Sequence, residues 1–336
     1  MIRVAILGAT GYTARELIQL LLRHGEVEIT AITTRQEDQP DLGSVHPQLA
    51  GRLDLPLENL SLEQVAERAD CVFSCLPHAA SAESVDQILT AGLRVIDFSA
   101  DFRLHDAAVY EKWYGVDHRA PGRLAEAVYG LPEFFREDIR GAQLVANPGC
   151  HPTTAVLAVA PLLKAGLVAA DDIIIDSKTG VSGGGRTPQP VFHFPECNES
   201  IAPYAVGNHR HTPEIDQVLS DVGGQATQVV FTPHLVPMDR GILATIYARP
   251  VGNASENDMM AQLRQQYAAE PFVRVVDHLP ATKNTTDTNF CDVSVRVVRG
   301  RVLLMSSLDN LIKGASGAAV QNFNLMYGFD ETTGLL

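Results

Sequence analysis

Residues 4–7 form a short β-branched and aliphatic run that stops at Gly8-Ala9-Thr10-Gly11. Over residues 12–23 the apolar positions Leu17, Leu20 and Leu21 then recur at helical spacing. Strand, glycine turn and helix are the predicted elements. Further strands are predicted at 29–33, at 71–75 running into Leu76-Pro77-His78, at 94–98 running into Ser99, and at 144–146. Strands alternating with helical stretches predict a parallel, doubly wound α/β sheet. Past Cys150 the texture changes. A helix is predicted from Pro152 to about Lys164, followed by strand-like runs at 172–176, 228–232, 242–248, 272–276 and 292–298. Few helices separate these later runs, so a mixed or antiparallel sheet, and hence a second α+β domain, is expected. A last helical pattern occupies 313–327, and Gly183-Gly184-Gly185 and Gly223-Gly224 punctuate loops.

At 336 residues the chain is about twice the usual domain length, which agrees with two domains. Hydrophobic residues are 46% and charged residues 20%, enough apolar material for a sizeable core. Lys+Arg 26 against Asp+Glu 40 leaves a net charge of −14, which argues against a surface built for a nucleic-acid backbone or an anionic membrane. An anionic substrate would need a local basic pocket. Cys71, Cys75, Cys150, Cys197 and Cys291 are odd in number and show no CxxC pair, so neither a disulfide framework nor a structural zinc site is expected. Reduced thiols in a cytoplasmic setting fit best. The start, MIRVAILGAT, lacks a basic region followed by a long apolar stretch, and no apolar run nears the ~18 residues of a membrane helix, so neither export nor anchoring is expected.

Gly8-Ala9-Thr10-Gly11-Tyr12-Thr13-Ala14 follows a strand and opens a helix, the context that makes a glycine pattern a dinucleotide fingerprint. The glycines admit a pyrophosphate to the backbone, the helix N-terminus adds partial positive charge, and Ala14 replaces the last glycine. An NAD site usually has Asp or Glu after the second strand, whereas this strand ends Thr33-Thr34-Arg35. Hydroxyls and a guanidinium suit a 2′-phosphate, so NADP is the expected cofactor. The bland alternative leaves Arg35 as a solvated loop residue.

Cys150, in Asn147-Pro148-Gly149-Cys150-His151-Pro152, stands at a helix start, where a thiol pKa falls and the nucleophilic thiolate is favoured. The other four cysteines read as small core or loop residues. Gly207-Asn208-His209-Arg210-His211-Thr212-Pro213-Glu214 leads into another helix, with Thr212 expected as N-cap. Either His209 or His211 can supply the acid/base that a cysteine nucleophile needs, and no third ligand at a convincing spacing supports a metal. Arg103, in Ser99-Ala100-Asp101-Phe102-Arg103, lies at the carboxyl edge of a strand and is a candidate anion clamp, with a surface ion pair as the alternative. Ser182-Gly183-Gly184-Gly185-Arg186 is a second loop carrying a cation.

With these residues in view, the whole chain resembles the N-acetyl-gamma-glutamyl-phosphate reductase family, within the group that includes aspartate-semialdehyde dehydrogenase. The likeness runs through GATGYTARE, HPQL, SADFRL, YGLPE, NPGCHPTTA, SGGGR, HRHTPEI, FTPHLVPMDRGI and DNLIKGASGAAVQN. One departure is His151, where tyrosine is expected. The resemblance implies a Rossmann-type NADP-binding domain at 1–147, a C-terminal helix at 313–336 packing back on it, and a catalytic and substrate domain at 148–312. It implies reversible NADPH-dependent reduction of N-acetyl-glutamyl 5-phosphate to N-acetyl-glutamate 5-semialdehyde and phosphate through a Cys150 thioester. It implies His209 as acid/base and His211 as substrate contact. Ser182, Gly183 and Asn310 would join Gly8, Ala9, Thr10, Gly11, Tyr12, Thr13, Thr34 and Arg35 around the cofactor, and Arg103, Asn147, Arg186 and Glu214 would meet the substrate. A homo-oligomer is expected. The alternatives are reduction of a related acyl phosphate, such as aspartyl phosphate or a lysine-pathway analogue, and a non-catalytic NADP-binding sensor.

Overall fold

The computed structural model describes residues 1–36 and 38–336. Two compact units divide the chain, one of residues 1–148 with 315–336 and the other of residues 149–314.

In the first unit the strands are β1 (Ile2–Leu7), β2 (Val27–Thr33), β3 (Leu57–Glu58), β4 (Cys71–Ser74), β5 (Arg94–Asp97), β6 (Ala127–Tyr129) and β7 (Leu144–Ala146). They line up β3-β2-β1-β4-β5-β7-β6, and every pairing is parallel. Val4 to Leu7 and Cys71 to Ser74 are buried on both faces, the signature of a covered parallel sheet. The Tyr12–His24 helix follows β1 directly and buries Leu17, Ile18, Leu20 and Leu21. The short strands β3 and β6 have no sequence signature, since two or three residues carry no readable alternation.

The second unit holds β8 (Ile173–Thr179), β9 (Ala202–Pro203), β10 (Val229–Leu235), β11 (Ile242–Ala248), β12 (Val273–Val275), β13 (Cys291–Val298) and β14 (Arg301–Leu308). The order β12-β13-β14-β11-β8-β10-β9 is mixed, with β8 parallel to β10 and antiparallel to β11. β14 was not expected from the sequence. It pairs antiparallel with both β11 and β13 and so is an interior strand of the sheet. β8 and β11 alternate buried and exposed positions, because one face packs on helices while the other is open.

The Cys150–Lys164 helix is the core of this unit. Residues 151–163 are all buried, which explains the lack of a polar stripe in its sequence. It packs on β11, β13 and β14 and on the Thr212–Gly223 and Glu256–Gln266 helices. Pro161 sits inside it and has no N–H, so the Leu157 carbonyl loses its usual donor four residues on. The Tyr267 hydroxyl donates to that carbonyl at 2.6 Å, and the Ser306 hydroxyl donates to the Thr154 carbonyl at 2.7 Å.

The final helical segment differs from the expected 313–336 helix. Ile312–Ser316 is a π-helix, the α-helix proper is Gly317–Tyr327, and Gly328 ends it in the left-handed conformation at φ 73°. Within the first unit the Gly317–Tyr327 helix packs on the Tyr12–His24 and Pro132–Gly141 helices. Among the described residues, no helix is long and apolar enough to cross a membrane.

Replacing Tyr267 by Phe tests the proline compensation, because the buried Leu157 carbonyl is then left without a hydroxyl donor. A loss of about 1–3 kcal/mol in unfolding free energy, read from a denaturant titration, is the expected result.

Candidate active site

Nucleotide chemistry is concentrated in the first unit. Gly8 has φ 73°, and a Cβ there would lie 2.9 Å from the Cys75 carbonyl oxygen, so only glycine fits. Gly11 is different: its φ is −81°, and a Cβ would meet no protein atom nearer than 4.0 Å. The fold does not need a glycine at position 11, and the open space suits a close-lying ligand. No side chain caps the Tyr12–His24 helix, so its first N–H groups face that space. A cavity of about 270 Å³ opens beside the turn and is lined by Gly8, Thr33, Thr34, Arg35, Asn59 and Ser61, among others. Thr34 is buried, with its hydroxyl accepting from the Gln36 N–H at 3.1 Å, while Arg35 is exposed at the rim. These residues fit a dinucleotide bearing a 2′-phosphate. Asn59 and Ser61 were missed in the sequence, where Asn-Leu-Ser reads only as a helix-entry loop.

Arg103 and Asn147 belong to the same unit, and neither points to solvent. The Arg103 guanidinium donates to the carbonyls of Asn147 and Phe98, both at 2.8 Å, and so ties the ends of β5 and β7 together. The Asn147 amide donates to the Ala315 carbonyl at 2.9 Å and accepts from the Asn322 amide at 3.2 Å. The expected anion clamp is thus a buried brace in this structure.

In the second unit Cys150 is the first residue of the buried helix, after Gly149 at the N-cap. Glu214, expected at the substrate, is 1% exposed and accepts the Gly149 N–H at 2.8 Å, which fixes the turn that presents the thiol. From the other side Gly314, inside the π-helix, packs so closely that a Cβ would lie 2.8 Å from the Cys150 Cβ. Asp309 sets that turn, with one carboxylate oxygen accepting from the N–H groups of Leu311 and Ile312 and the other from Asp287 and Arg240. Burial pushes the Cys71 thiol up to about 12 and raises the Cys75 thiol further, so both stay protonated.

Three histidine rings gather around the residue that follows Cys150. Ring centroids are 4.9 Å apart for His209–His211, 5.6 Å for His151–His209 and 5.8 Å for His151–His211. Phe231 packs edge-on against His151 and His209, and Tyr204 lies 5.4 Å from His209. Burial lowers the His209 pKa to about 4, helped by the Arg210 charge, and burial with His209 as neighbour holds His151 well below 6.5. Both rings are neutral at pH 7. His209 Nδ1 accepts the His211 N–H at 3.1 Å, so its own proton resides on Nε2. His211, rather than Thr212, takes the cap position of the Thr212–Gly223 helix, with Pro213 in the first turn. Among the described residues, no group of three or more His, Cys, Asp or Glu is arranged to hold a metal ion.

Ser182 and Asn310 form a tight joint. The Ser182 hydroxyl donates to the Asp239 carbonyl at 2.6 Å and accepts from the Asn310 amide at 3.0 Å, while Asn310 Oδ1 accepts the Gly241 N–H at 2.8 Å. Gly183 is exposed beside them, and Gly184 lies so close under the Phe192 ring that a Cβ would meet it at 2.2 Å. Arg186 is exposed further along this loop. His151, Tyr204, Ser177, Phe231 and Gly314 enter the site without having been singled out as site residues. Only His151 carried a signal, as a departure at the position after the nucleophile.

Comparisons with known proteins identify the family. The family model described as "Semialdehyde dehydrogenase, NAD binding domain" matches residues 3–142, and "Semialdehyde dehydrogenase, dimerisation domain" matches residues 150–310. An N-acetyl-gamma-glutamyl-phosphate reductase of Rhodopirellula baltica is 53% identical, covering 100% of this chain and 98% of that protein. One of Desulforudis audaxviator is 49% identical over the same shares. Among solved structures, aspartate semialdehyde dehydrogenase II of Vibrio cholerae superposes with TM-score 0.74 at 16% identity, over 98% of both chains. The aspartate semialdehyde dehydrogenase of Candida albicans gives 0.69 at 16%, over 97% and 98%. At such identities these two structures bear on the fold.

The neutral histidines predict a pH response. Unfolded, His209 takes up a proton near 6.5; folded, only near 4. The unfolded chain therefore binds more protons between these values, and stability, full above pH 6.5, falls as pH drops towards 4. Melting curves across this window should show a shallower decline in His209→Gln than in the parent, and identical slopes would contradict the burial argument.

Proposed function

Because the chain belongs to the N-acetyl-gamma-glutamyl-phosphate reductase family, we propose that it reduces N-acetyl-glutamyl 5-phosphate to N-acetyl-glutamate 5-semialdehyde and phosphate with NADPH, a step of arginine biosynthesis. The observation that carries this reading is a thiol at the start of a buried helix, pinned by Glu214 and Gly314 and faced by neutral histidines.

The Cys150 sulfur attacks the acyl carbon, a C–S bond forms and the C–O bond to phosphate breaks, leaving a thioester. The thiol proton ends on the departing phosphate. NADPH, when bound, would supply a hydride to the thioester carbon. His209 Nε2–H is the donor suited to the acyl oxygen as negative charge builds there, and a neutral ring serves because the tetrahedral alkoxide needs only stabilisation. When the C–S bond breaks, the electron pair returns to sulfur and the aldehyde is released. The geometry supports the proton-donor half of the acid/base role for His209, and His211, next to it, is assigned to holding the substrate. Arg186, exposed on its loop, is assigned to the phosphate. Gly8, Ala9, Thr10, Gly11, Tyr12 and Thr13 would hold the pyrophosphate and Thr34 and Arg35 the 2′-phosphate of the cofactor.

The open face of the mixed sheet supports assembly with a second copy. Ile174, Val230 and Tyr247 on three neighbouring strands are 38%, 61% and 37% exposed, and the matching family description names dimerisation. A biosynthetic role supports a cytoplasmic setting.

The deciding experiment is phosphate-dependent reduction of NADP across a panel of semialdehydes. N-acetyl-glutamate 5-semialdehyde should give the highest kcat/KM, and a preference for aspartate semialdehyde would overturn the substrate assignment. In the same assay Cys150→Ser should lose turnover while keeping NADPH binding, because nucleophile and nucleotide cavity lie on different elements; near-normal activity would sink the covalent route. Arg35→Glu should weaken NADPH binding by tenfold or more, roughly the cost of losing a charge-assisted contact, and leave NADH binding nearly unchanged.

A further inference from the structure

We infer that His46 is a positioning residue for the dinucleotide turn: its ring donates to the Ala9 carbonyl and keeps that oxygen turned into the protein, off the face where the pyrophosphate would lie. The inference rests on the reading of the turn at 8–11 as a dinucleotide site and adds what orients its backbone.

His46 opens the His46-Pro47-Gln48-Leu49 motif, to which the proposed reaction gives no part. The residue is 3% exposed, and its Nε2 lies 2.9 Å from the Ala9 carbonyl oxygen, 37 residues away in the chain. A carbonyl only accepts, so Nε2 carries a proton whatever the state of the other ring nitrogen. The backbone on either side of the ring is fixed. The Leu42–Val45 helical turn ends on His46, whose N–H donates to the Leu42 carbonyl at 2.7 Å, and the Pro47–Leu49 turn starts from it, with the Leu49 N–H donating to the His46 carbonyl at 2.8 Å. Leu42 and Leu49 are both buried and anchor these turns.

Ala9 is fully buried and is held from two sides. Its N–H donates to the Thr33 carbonyl at the end of β2 at 2.9 Å, and its carbonyl accepts from His46. Elsewhere the turn is loosely tied, since the Gly11 N–H reaches the Gly8 carbonyl only at 3.5 Å. A buried carbonyl left without a donor is costly. Without the ring, the Ala9 oxygen would gain by rotating towards the side where Thr10 and Gly11 are partly exposed, and a trans peptide turns its N–H away as the oxygen comes round. There the partial negative charge of the oxygen would face the phosphates. His46 therefore acts by removing an acceptor from the anion's side of the turn, not by touching the anion.

The test is equilibrium binding to the full chain of NADPH and NADH, followed by nicotinamide fluorescence, and of adenosine 2′-phosphate, followed by its displacement of NADPH. The last ligand carries the rim phosphate and no pyrophosphate. His46→Leu should raise the dissociation constants of both dinucleotides by about five- to tenfold, the worth of one hydrogen bond, and leave that of adenosine 2′-phosphate nearly unchanged. His46→Gln sets an amide N–H the same number of bonds from the backbone as Nε2 and should bring both dinucleotides most of the way back. Should His46→Leu fail to fold, His46→Asn serves, because its amide stops one bond short; it should weaken the dinucleotides with the same selectivity. Unmoved dinucleotide constants in the folded variant, no recovery in His46→Gln, or an equal loss of adenosine 2′-phosphate, which marks a ring that only holds its own segment in place, overturns the inference. A parent protein that binds neither dinucleotide removes the cofactor reading itself, an outcome distinct from a parent that binds both and variants that do not differ from it.

Discussion

Burial of the Cys150–Lys164 helix on every side is the constraint from which the second unit follows. A helix with no polar stripe must be enclosed, and the mixed sheet together with the helices at Thr212–Gly223 and Glu256–Gln266 encloses it. Enclosure in turn leaves no water for stray backbone groups, so Tyr267 serves the carbonyl orphaned by Pro161 and Glu214 serves the Gly149 N–H. The Cys150 thiol is then at the end of a buried core element rather than on a loop.

The same desolvation that stabilises the core sets the protonation states at the site. His151 and His209 share a pocket with Phe231 and Tyr204, and the poor solvation of a charged ring there keeps both neutral. Desolvation likewise drives Cys71 and Cys75 to the thiol form.

Periodicity and punctuation revealed the doubly wound sheet, because buried parallel strands read as continuous apolar runs and Gly8 requires a positive φ. Cys150 and the histidine pair were legible because proline and glycine marked their helix starts. What escaped was non-local. β14 looks like a mixed run until its partners β11 and β13 are known, and the roles of Glu214 and Arg103 as buried braces depend on backbone groups distant in sequence. Ser177 and Tyr204 are isolated polar residues whose meaning appears only when they meet on the two nitrogens of His151. The π-helix that brings Gly314 onto Cys150 has the composition of an ordinary helix start.

The nucleotide cavity divides its labour between backbone and rim. Gly8 is locked by the Cys75 carbonyl, so the pyrophosphate turn cannot drift without dismantling the β1–β4 pairing. Arg35 carries no such obligation, since it is exposed and lies beyond the end of β2. On the proposed reading of Arg35, the choice between the two nicotinamide dinucleotides rests on a side chain outside the strand pairing. A single substitution at this rim is then expected to change cofactor preference while the turn beneath it stays fixed.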